Sequence, residues 1–276
     1  MNRMVAYPYP KFMTSIIDVD QAAAVLMTTA EEADRLGIPA AHCVHVHGVG
    51  EATDIWHVKD RVDYHSSPGM TEAFRQALAQ AGIEANAVTL LDLYSCFPAA
   101  VQFAARVLGA RTDGARALTV TGGLPYFGGA GNDYALHAIA TMAERLRAAP
   151  DALGLVSALG WYMTKHAVGV YGVRAPEREW RRAASAQPAV DALPRPPFLP
   201  AATGRGRIET YTVLHDRDGA ASQAIVVVRR DDGTRTLALV DAPDVLATLE
   251  REEMVGAAGA LVAGADGRNA FRLAGE

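Results

Sequence analysis

The first two thirds of the chain alternate between short apolar runs and longer stretches in which apolar residues recur at helical spacing. Five apolar or alternating runs predict strands, namely residues 42–47, 88–93, 117–121, 153–159 and 167–173. A sixth apolar run, residues 22–28, fits either a strand or a helix. Because helices intervene between the strands, we predict an α/β fold: a mixed, mostly parallel sheet flanked by helices.

The predicted helices are marked by start and stop signals. Residues 30–36 are helical in pattern and are followed by Gly37. Ser67 and Pro68 supply an N-cap and a proline at the first position of a helix that stops at Gly82. Two more helices are expected, over residues 97–108 and from residue 132 onward, the latter with apolar residues on one face.

The last third of the chain differs in its sequence pattern, because a proline-rich segment is followed by short strand-like runs. Five prolines lie among alanine, serine and glycine in residues 183–206, which predicts a linker between domains 1–182 and 207–276. Five short strands are expected after it, over residues 207–214, 223–230, 234–240, 260–263 and 269–273. Residues 231–233 favour a hairpin turn and residues 245–253 a short helix. We predict a small β-barrel.

Composition narrows the class of protein. Half of the 276 residues are hydrophobic, which is enough for a packed core. The formal net charge is −5, so no overall positive field would gather nucleic acid or anionic lipid. Two cysteines make no disulfide framework, and no apolar run is long enough for a membrane span. We therefore expect a cytoplasmic protein with no membrane span and no bound nucleic acid.

A strand-to-helix junction places Tyr94 and Cys96 where chemistry is common. A cysteine at a helix N-terminus feels unpaired backbone N–H groups, which would lower its pKa and favour a nucleophile. A buried structural thiol is the alternative. The next strand-to-helix junction, residues 121–132, contains five glycines and either approaches a ligand closely or forms a tight packing turn.

Two weaker candidates complete the set. Tyr162 and His166 lie between two predicted strands, either near a reaction centre or at an exposed hairpin tip. Cys43, His45 and His47 share one face of a predicted strand, but no further cluster completes a metal site. We expect no metal.

The order of these segments resembles the C-terminal half of the thiolase superfamily, in particular the branch labelled acetyl-CoA acetyltransferase or thiolase-like protein type 1, which is related to sterol-carrier-type thiolases. Residues 18–24 stand where that family has its NDGAAA strand, which implies that residues 22–28 are a strand. Residues 94–97 match the NEAF or HDCF loop, and residues 122–130 match the glycine-rich loop that ends in GHP. Residues 204–213 resemble the opening of the OB-like domain appended to this branch.

The resemblance implies an acyltransferase that acts on acyl-CoA thioesters, with acyl-CoA as substrate and no separate cofactor. It also implies an N-terminal thiolase half as partner, in cis or in trans. The chain departs from the family at three catalytic positions: Tyr94 replaces asparagine or histidine, Gly129 the GHP histidine, and Ala158 the second cysteine. The family's nucleophilic cysteine belongs to the N-terminal half, so ordinary thiolase turnover by this chain alone is not expected.

The remaining pocket is expected to use Tyr94, Cys96 and His166 in catalysis, with Tyr94 donating to a carbonyl oxygen and His166 acting as base. Substrate binding is expected of Tyr126, Phe127, Gly128, Gly129 and Tyr162. A second hypothesis is a noncatalytic acyl-CoA-binding or partner subunit that docks another protein through its OB-like domain. A third is nucleic-acid binding through that domain.

Overall fold

The computed structural model describes residues 2–178, 180–181, 183–264 and 267–274. Its helices are α1 (Ala30–Arg35), α2 (Pro68–Ala81), α3 (Pro98–Leu108), α4 (Leu124–Phe127), α5 (Tyr134–Ala148), α6 (Gln187–Asp191) and α7 (Pro243–Arg251). Its strands are β1 (Met4–Ala6), β2 (Tyr9–Pro10), β3 (His45–Thr53), β4 (Leu90–Asp92), β5 (Leu153–Gly160), β6 (Lys165–Gly172), β7 (Gly204–His215), β8 (Ala221–Arg230), β9 (Arg235–Val240), β10 (Ala258–Ala263) and β11 (Asn269–Leu273).

The chain folds into two units that interleave along the sequence. The sheet unit contains Thr14–Trp56 and His65–Ala192, and the barrel unit contains the residues up to Met13, His57–Tyr64, and the chain from Leu193 onward. This division is less linear than the expected domains 1–182 and 207–276. The expected linker 183–206 itself contains α6 and the first residues of β7.

A four-stranded sheet in the order β3-β6-β5-β4 forms the centre of the sheet unit. Strand β6 is antiparallel to β3 and β5, whereas β4 and β5 are parallel. Three strands thus run in one direction, but two of the three ladders are antiparallel, which corrects the expectation of mostly parallel pairing. The reason is the short turn 161–164, since parallel neighbours need a long crossover.

Helix α2 covers one face of this sheet and lies directly on the backbone of β3. Ser67 caps its start by accepting from the Met70 N–H, and Gly82 ends it in a left-handed conformation, as predicted. A Cβ atom on Gly50 would lie 1.9 Å from the carbonyl oxygen of Ala73. Only glycine permits this approach, which buries Ala73 and Ala77 completely.

Helix α5 covers part of the opposite face. Its buried residues Tyr134, Ala138, Met142 and Leu146 pack with Val156 of β5. The predicted helix is confirmed. Its sequence pattern places Leu136, Ile139, Met142 or Ala143, and Leu146 on the apolar face, but Leu136 and Ile139 are only partly buried, so the buried face is rotated from the expected one.

The free edge of β3 is capped by glutamine side chains. Three backbone N–H groups at alternate positions donate to amide oxygens: Val49 to Gln80 at 2.7 Å, Glu51 to Gln76 at 3.2 Å, and Thr53 to Gln187 at 2.7 Å. The same amides donate to carbonyl oxygens of Arg181, Ala184 and Thr53. The edge is therefore satisfied without another strand.

Two predicted strands do not form. At residues 117–121, the N–H groups of Val120 and Thr121 donate to the carboxylate of Asp92 instead of to a neighbouring strand. Residues 22–28 lie in irregular chain, with the Leu26 side chain fully exposed. No strand among the described residues pairs with this run, so its apolar pattern alone does not make it β.

The barrel unit is built from β7, β8, β9, β11 and β10, and pairing of β10 with β7 closes it. The core contains Ile208, Val226, Leu249 and Phe271. The small barrel, its hairpin at residues 231–233 and its helix α7 were all predicted from the sequence. Strands β1 and β2 extend the sheet beyond β7.

A completely buried arginine joins the barrel strands to residues 57–64. Arg235 donates to both carboxylate oxygens of Glu209 at 2.6 Å. It also donates to the carbonyl oxygens of Lys59, Arg61 and Val62. All five N–H groups of the guanidinium are thereby used. Arg229 binds Glu209 from the other side.

Candidate functional site

The candidate site is organised by Asp92, the last residue of β4, which is completely buried. Its Oδ2 accepts from the Val120 N–H at 3.0 Å, the Thr121 N–H at 3.1 Å and the Thr121 hydroxyl at 3.0 Å. Its Oδ1 accepts from the Tyr134 hydroxyl at 2.9 Å. The carboxylate thus holds the start of the glycine-rich loop, residues 121–131, against β4 and α5.

Burial dominates the electrostatics around Asp92. It raises the pKa of Asp92 even though the Thr121, Tyr134 and Val120 hydrogen bonds oppose the shift. Burial and the negative charge of Asp92 also raise the pKa of Tyr134. Tyr134 therefore stays protonated and remains a donor to Asp92.

The Tyr94–Phe97 loop follows β4 and meets the glycine-rich loop directly. The Tyr94 N–H donates to the Ser157 hydroxyl at 3.0 Å, and the Leu124 N–H donates to the Ser95 hydroxyl at 3.0 Å. The rings of Tyr94 and Phe127 each pack edge-on against Tyr134, with centroid distances of 5.5 and 6.0 Å. The structure therefore brings Tyr94, Cys96 and Phe127 together on the α5 side of the sheet.

Residues 14–21 lie against both the Tyr94–Phe97 loop and the glycine-rich loop. The Ser15 N–H donates to the Cys96 carbonyl at 3.0 Å, and the Gly129 N–H donates to the Ile16 carbonyl at 2.8 Å. A Cβ atom on Gly129 would lie 2.7 Å from the Ser15 hydroxyl oxygen. Gly128 has a φ of 99° and faces Val19 in the same way. The space beside these two glycines is thus occupied by residues 14–21 of the same chain, and not left open for a ligand.

Cys96 does not have the lowered pKa expected of a cysteine at a helix N-terminus. Burial raises the pKa of its thiol to about 11, more than backbone hydrogen bonding at Phe97 and Cys96 lowers it. Helix α3 begins only at Pro98, with Phe97 as its N-cap. The prediction of an activated thiolate is therefore wrong, because desolvation outweighs the helix terminus. Burial likewise raises the pKa of Tyr94.

His166 lies on the other face of the sheet. Side chains of β6 alternate between the two faces, so His166 lies on the same face as Val168 and Val170, which pack under helix α2. Tyr94 and Cys96 pack on the opposite face, with the buried residues of α5. The structure therefore does not assemble the expected set of Tyr94, Cys96 and His166.

His166 instead joins a buried cluster with Asp54 and Ser67. The Ser67 hydroxyl donates to Asp54 Oδ2 at 2.5 Å, and His166 Nε2 lies 3.3 Å from that oxygen and from the Ser67 hydroxyl. Nε2 also lies 3.2 Å from the Met163 carbonyl, which can only accept, so hydrogen is favoured on Nε2. Nε2 of His166 thus faces both Asp54 and Ser67. In a catalytic triad, one ring nitrogen of the histidine faces the nucleophile and the other faces the carboxylate.

The Asp54 carboxylate is held charged in this cluster. Burial alone would raise its pKa, but hydrogen bonds from His166, Ser67 and the Gly69 N–H together lower it. The cluster therefore fixes the start of α2 and the β5–β6 turn.

Two of the predicted binding residues are largely exposed. The side chain of Tyr126 is 82% exposed and that of Tyr162 is 66% exposed. Tyr162 lies in the β5–β6 turn, where Trp161 and Met163 have φ values of 61° and 50°. The Trp161 ring contacts Trp56 at a centroid distance of 5.8 Å. This places Tyr162 at a hairpin tip, the alternative that the sequence left open.

Two neighbouring grooves open on the uncovered part of the sheet, with volumes of about 270 and 580 Å³. Both are lined by Glu51, Ala158 and Ala167. The smaller also contacts Ile139 of α5 and Tyr171, and the larger contacts Lys165 and Gln187. Of the predicted site residues, only His166 is among those that line either groove.

The described part of the chain has neither a metal-ligand cluster nor a membrane-spanning helix. No group of three or more histidine, cysteine or acidic side chains there has the arrangement of a metal site. His47 Nε2 lies 2.9 Å from the Arg174 carbonyl, and the Cys43 thiol lies near the Pro39 carbonyl. No described helix is long and apolar enough to cross a membrane.

Sequence reasoning missed the polar residues that organise both clusters. Asp92, Tyr134 and Asp54 were not singled out, and Ser67 was recognised only as a helix cap. The available signal was a carboxylate at the end of each apolar strand, since a buried charge there needs several donors.

Comparisons with known proteins extend over both units. Residues 185–267 match the family described as the thiolase-like protein type 1 additional C-terminal domain. The crystal structure of a monomeric SCP2-thiolase-like protein type 1 from Mycobacterium smegmatis is similar, with 36% identity and a TM-score of 0.88 over 99% of this chain. The chain spans 60% of the length of that relative. No curated protein matches the chain.

Proposed function

We propose that this chain works as the C-terminal part of a thiolase-like protein that binds acyl-CoA thioesters, completed by an N-terminal half in cis or in trans. The observation that carries the proposal is the meeting of the Tyr94–Phe97 loop and the glycine-rich loop at the end of β4. It occurs within a fold that is similar over 99% of the chain to an SCP2-thiolase-like protein.

The chemistry available at this meeting point is hydrogen-bond donation. Because burial raises the pKa of Tyr94 and of Cys96, both remain protonated near neutral pH. Tyr94 is the candidate donor to a thioester carbonyl oxygen, where a neutral donor stabilises developing negative charge. The thiol of Cys96 is a poor nucleophile in this state, so we assign acyl transfer, where it occurs, to groups outside this chain.

The exposed apolar side chains of residues 22–28 support the proposal that a partner covers this segment. The Leu26 side chain is completely exposed and that of Met27 is 83% exposed, in a segment with no strand partner among the described residues. Burying one such side chain is worth about 1.5–3 kcal/mol. A strand supplied by an N-terminal half would cover this run.

Intact mass of the native protein from its own cells tests the partner. A species heavier than 29.2 kDa with this sequence, or a stoichiometric second chain of N-terminal-half type, supports the proposal. A monomer of 29.2 kDa alone contradicts it.

Acetyl-CoA titration of the same preparation tests the ligand. We expect micromolar binding that Tyr94→Phe weakens about tenfold, the loss expected for one hydrogen bond. Tyr7→Phe in the barrel unit is the matched control and should bind unchanged. Equal binding by both variants would remove Tyr94 from the site, and no binding by the native preparation would overturn the ligand class.

A second candidate is a noncatalytic acyl-CoA-binding or partner subunit that docks another protein through its barrel. The protonated Cys96 and the separation of His166 from it favour this alternative. Protein that binds acetyl-CoA but neither makes nor breaks a thioester or carbon–carbon bond, even with its native partner, would support the second candidate over the first.

A further inference from the structure

Strand β10 presents small residues on the outer face of the barrel, with two arginines on the neighbouring strand β7 and one on the neighbouring strand β11. Ala258 and Ala260 face outward, whereas Gly259 and Leu261 are buried. Ala260 pairs with Arg205 of β7 on one side and with Arg272 of β11 on the other, and Ala258 pairs with Arg207. Paired residues project to the same face of a sheet. We call these five residues the arginine shelf.

The spacing of the shelf follows from strand geometry. Neighbouring strands lie about 5 Å apart, so Arg205 and Arg272 are separated by about 10 Å across Ala260. Arg205 and Arg207 are two residues apart on one strand, which is about 7 Å. Because the alanine side chains are small, the surface between the three guanidinium groups is shallow and open.

Among the described residues, no carboxylate forms an ion pair with an arginine of the shelf. Arg205, Arg207 and Arg272 are exposed. Within the described ranges none of them forms an ion pair, and Arg207 donates only to the Gly256 carbonyl at 3.0 Å. Glu209, further along β7, already binds Arg229 and Arg235. A chain of net charge −5 thus carries a local basic patch.

We propose that the arginine shelf binds a short acidic segment of a partner protein. Arginine pairs with carboxylates through two parallel hydrogen bonds, and three arginines at this spacing suit two or three carboxylates on an extended peptide. This names the surface for the docking role proposed above and is independent of any acyl-CoA chemistry.

Nucleic acid fits the shelf less well. Its outward residues are arginine and alanine, so no aromatic ring is offered for base stacking. A long polyanion would also extend beyond the patch over a molecule of net charge −5, whereas a short acidic segment would not.

Fluorescence anisotropy of the whole chain with labelled hexaglutamate at low ionic strength tests the proposal. We expect the Arg205→Glu, Arg272→Glu double variant to bind hexaglutamate at least tenfold more weakly and to gain affinity for hexalysine. Arg217→Glu is the control for a charge reversal outside the shelf, since Arg217 is an exposed arginine in the β7–β8 turn of the same unit. It should change affinity less than twofold.

Three results would overturn the proposal: no hexaglutamate binding by the unaltered chain, equal losses in the double variant and in Arg217→Glu, or tighter binding of single-stranded oligonucleotide than of hexaglutamate. Circular dichroism establishes that each variant is folded, and the milder Arg205→Gln, Arg272→Gln pair replaces the double variant if it is not. Acetyl-CoA binding is measured in parallel. An unchanged acetyl-CoA affinity in a variant that loses hexaglutamate separates this proposal from the acyl-CoA proposal.

Discussion

Replacing Arg235 with lysine tests whether this side chain holds residues 57–64 on the barrel. Lysine has three donors on a flexible stem and cannot reproduce the planar contact with Glu209 and three carbonyl oxygens. Removing one partner of a buried ion pair costs about 3–5 kcal/mol. Because Arg229 still binds Glu209, we expect the lower value, about 3 kcal/mol, or roughly a hundredfold more frequent release of the segment.

Limited trypsin digestion measures this release, because the segment contains the Arg61–Val62 bond and the Arg61 carbonyl is one of those held by Arg235. In Arg235→Lys, cleavage at that bond should accelerate by about two orders of magnitude at low trypsin concentration, where the segment opens and closes faster than it is cut and the cleavage rate follows the population of the open form. Arg229→Lys is the control, since Arg229 binds the same carboxylate and contacts no residue of the segment in the hydrogen bonds described.

Cleavage of Arg235→Lys at the control's rate would refute the reasoning. So would equal acceleration at every tryptic site, because that pattern indicates global unfolding and not local release. Peptide mapping by mass spectrometry separates these outcomes, and urea unfolding followed by circular dichroism gives the accompanying loss of global stability.

Three further predictions follow from burial and hydrogen bonding. Iodoacetamide at pH 8 should alkylate Cys43 well before Cys96, because burial raises the pKa of Cys96 to about 11; mass spectrometry showing Cys96 modified first would contradict this. The folded pKa of Asp54 is below its unfolded value, so its stabilising contribution is present above the unfolded pKa and is lost as pH falls through the folded one. Asp54→Asn should therefore flatten the fall of Tm with acid, and an unchanged slope would exclude Asp54 as the cause. Gly50→Ala places a Cβ against the Ala73 carbonyl and should prevent folding at 37 °C, whereas soluble protein with an unaltered Tm would show that α2 can move away.

Local signals predicted much of the fold. The N-cap at Ser67 and the left-handed glycines Gly82 and Gly109 define the helices α2 and α3 by contacts within a few residues, which a sequence carries directly. The barrel strands were equally readable from short apolar runs separated by turn residues, although burial alternates only over part of each run, as in the first residues of β7.

The failures arose where a distant side chain decided the local structure. Residues 117–121 have a strand pattern, yet Asp92, a residue 28 positions from Val120, takes the N–H groups that a strand would offer to a neighbour. Residues 22–28 are apolar enough for a strand but have no partner in the described ranges. Pairing depends on tertiary context, which a short pattern does not contain.

The site was half predictable for the same reason. The structure brings Tyr94, Cys96 and Phe127 together, because the Tyr94–Phe97 loop leaves β4 and Asp92, at the end of that strand, holds the start of the glycine-rich loop. His166 does not join them, since the two-residue period of β6 directs it with Val168 to the opposite face. The missing information was which side chains of each strand point to which face of the sheet. It could have been obtained only by assigning the buried positions of β5 and β6 together.

The chemistry of the site depends on which groups carry charge. Both oxygens of Asp92 accept hydrogen bonds within this unit, three at Oδ2 and one at Oδ1, so its role is to hold the glycine-rich loop against β4 and α5. Tyr94 and Cys96 are kept protonated by burial. A thioester at these loops would therefore meet Tyr94 and Cys96 as neutral donors, which suit a developing oxyanion. Separate measurements of acetyl-CoA binding and of turnover therefore distinguish the two proposed functions.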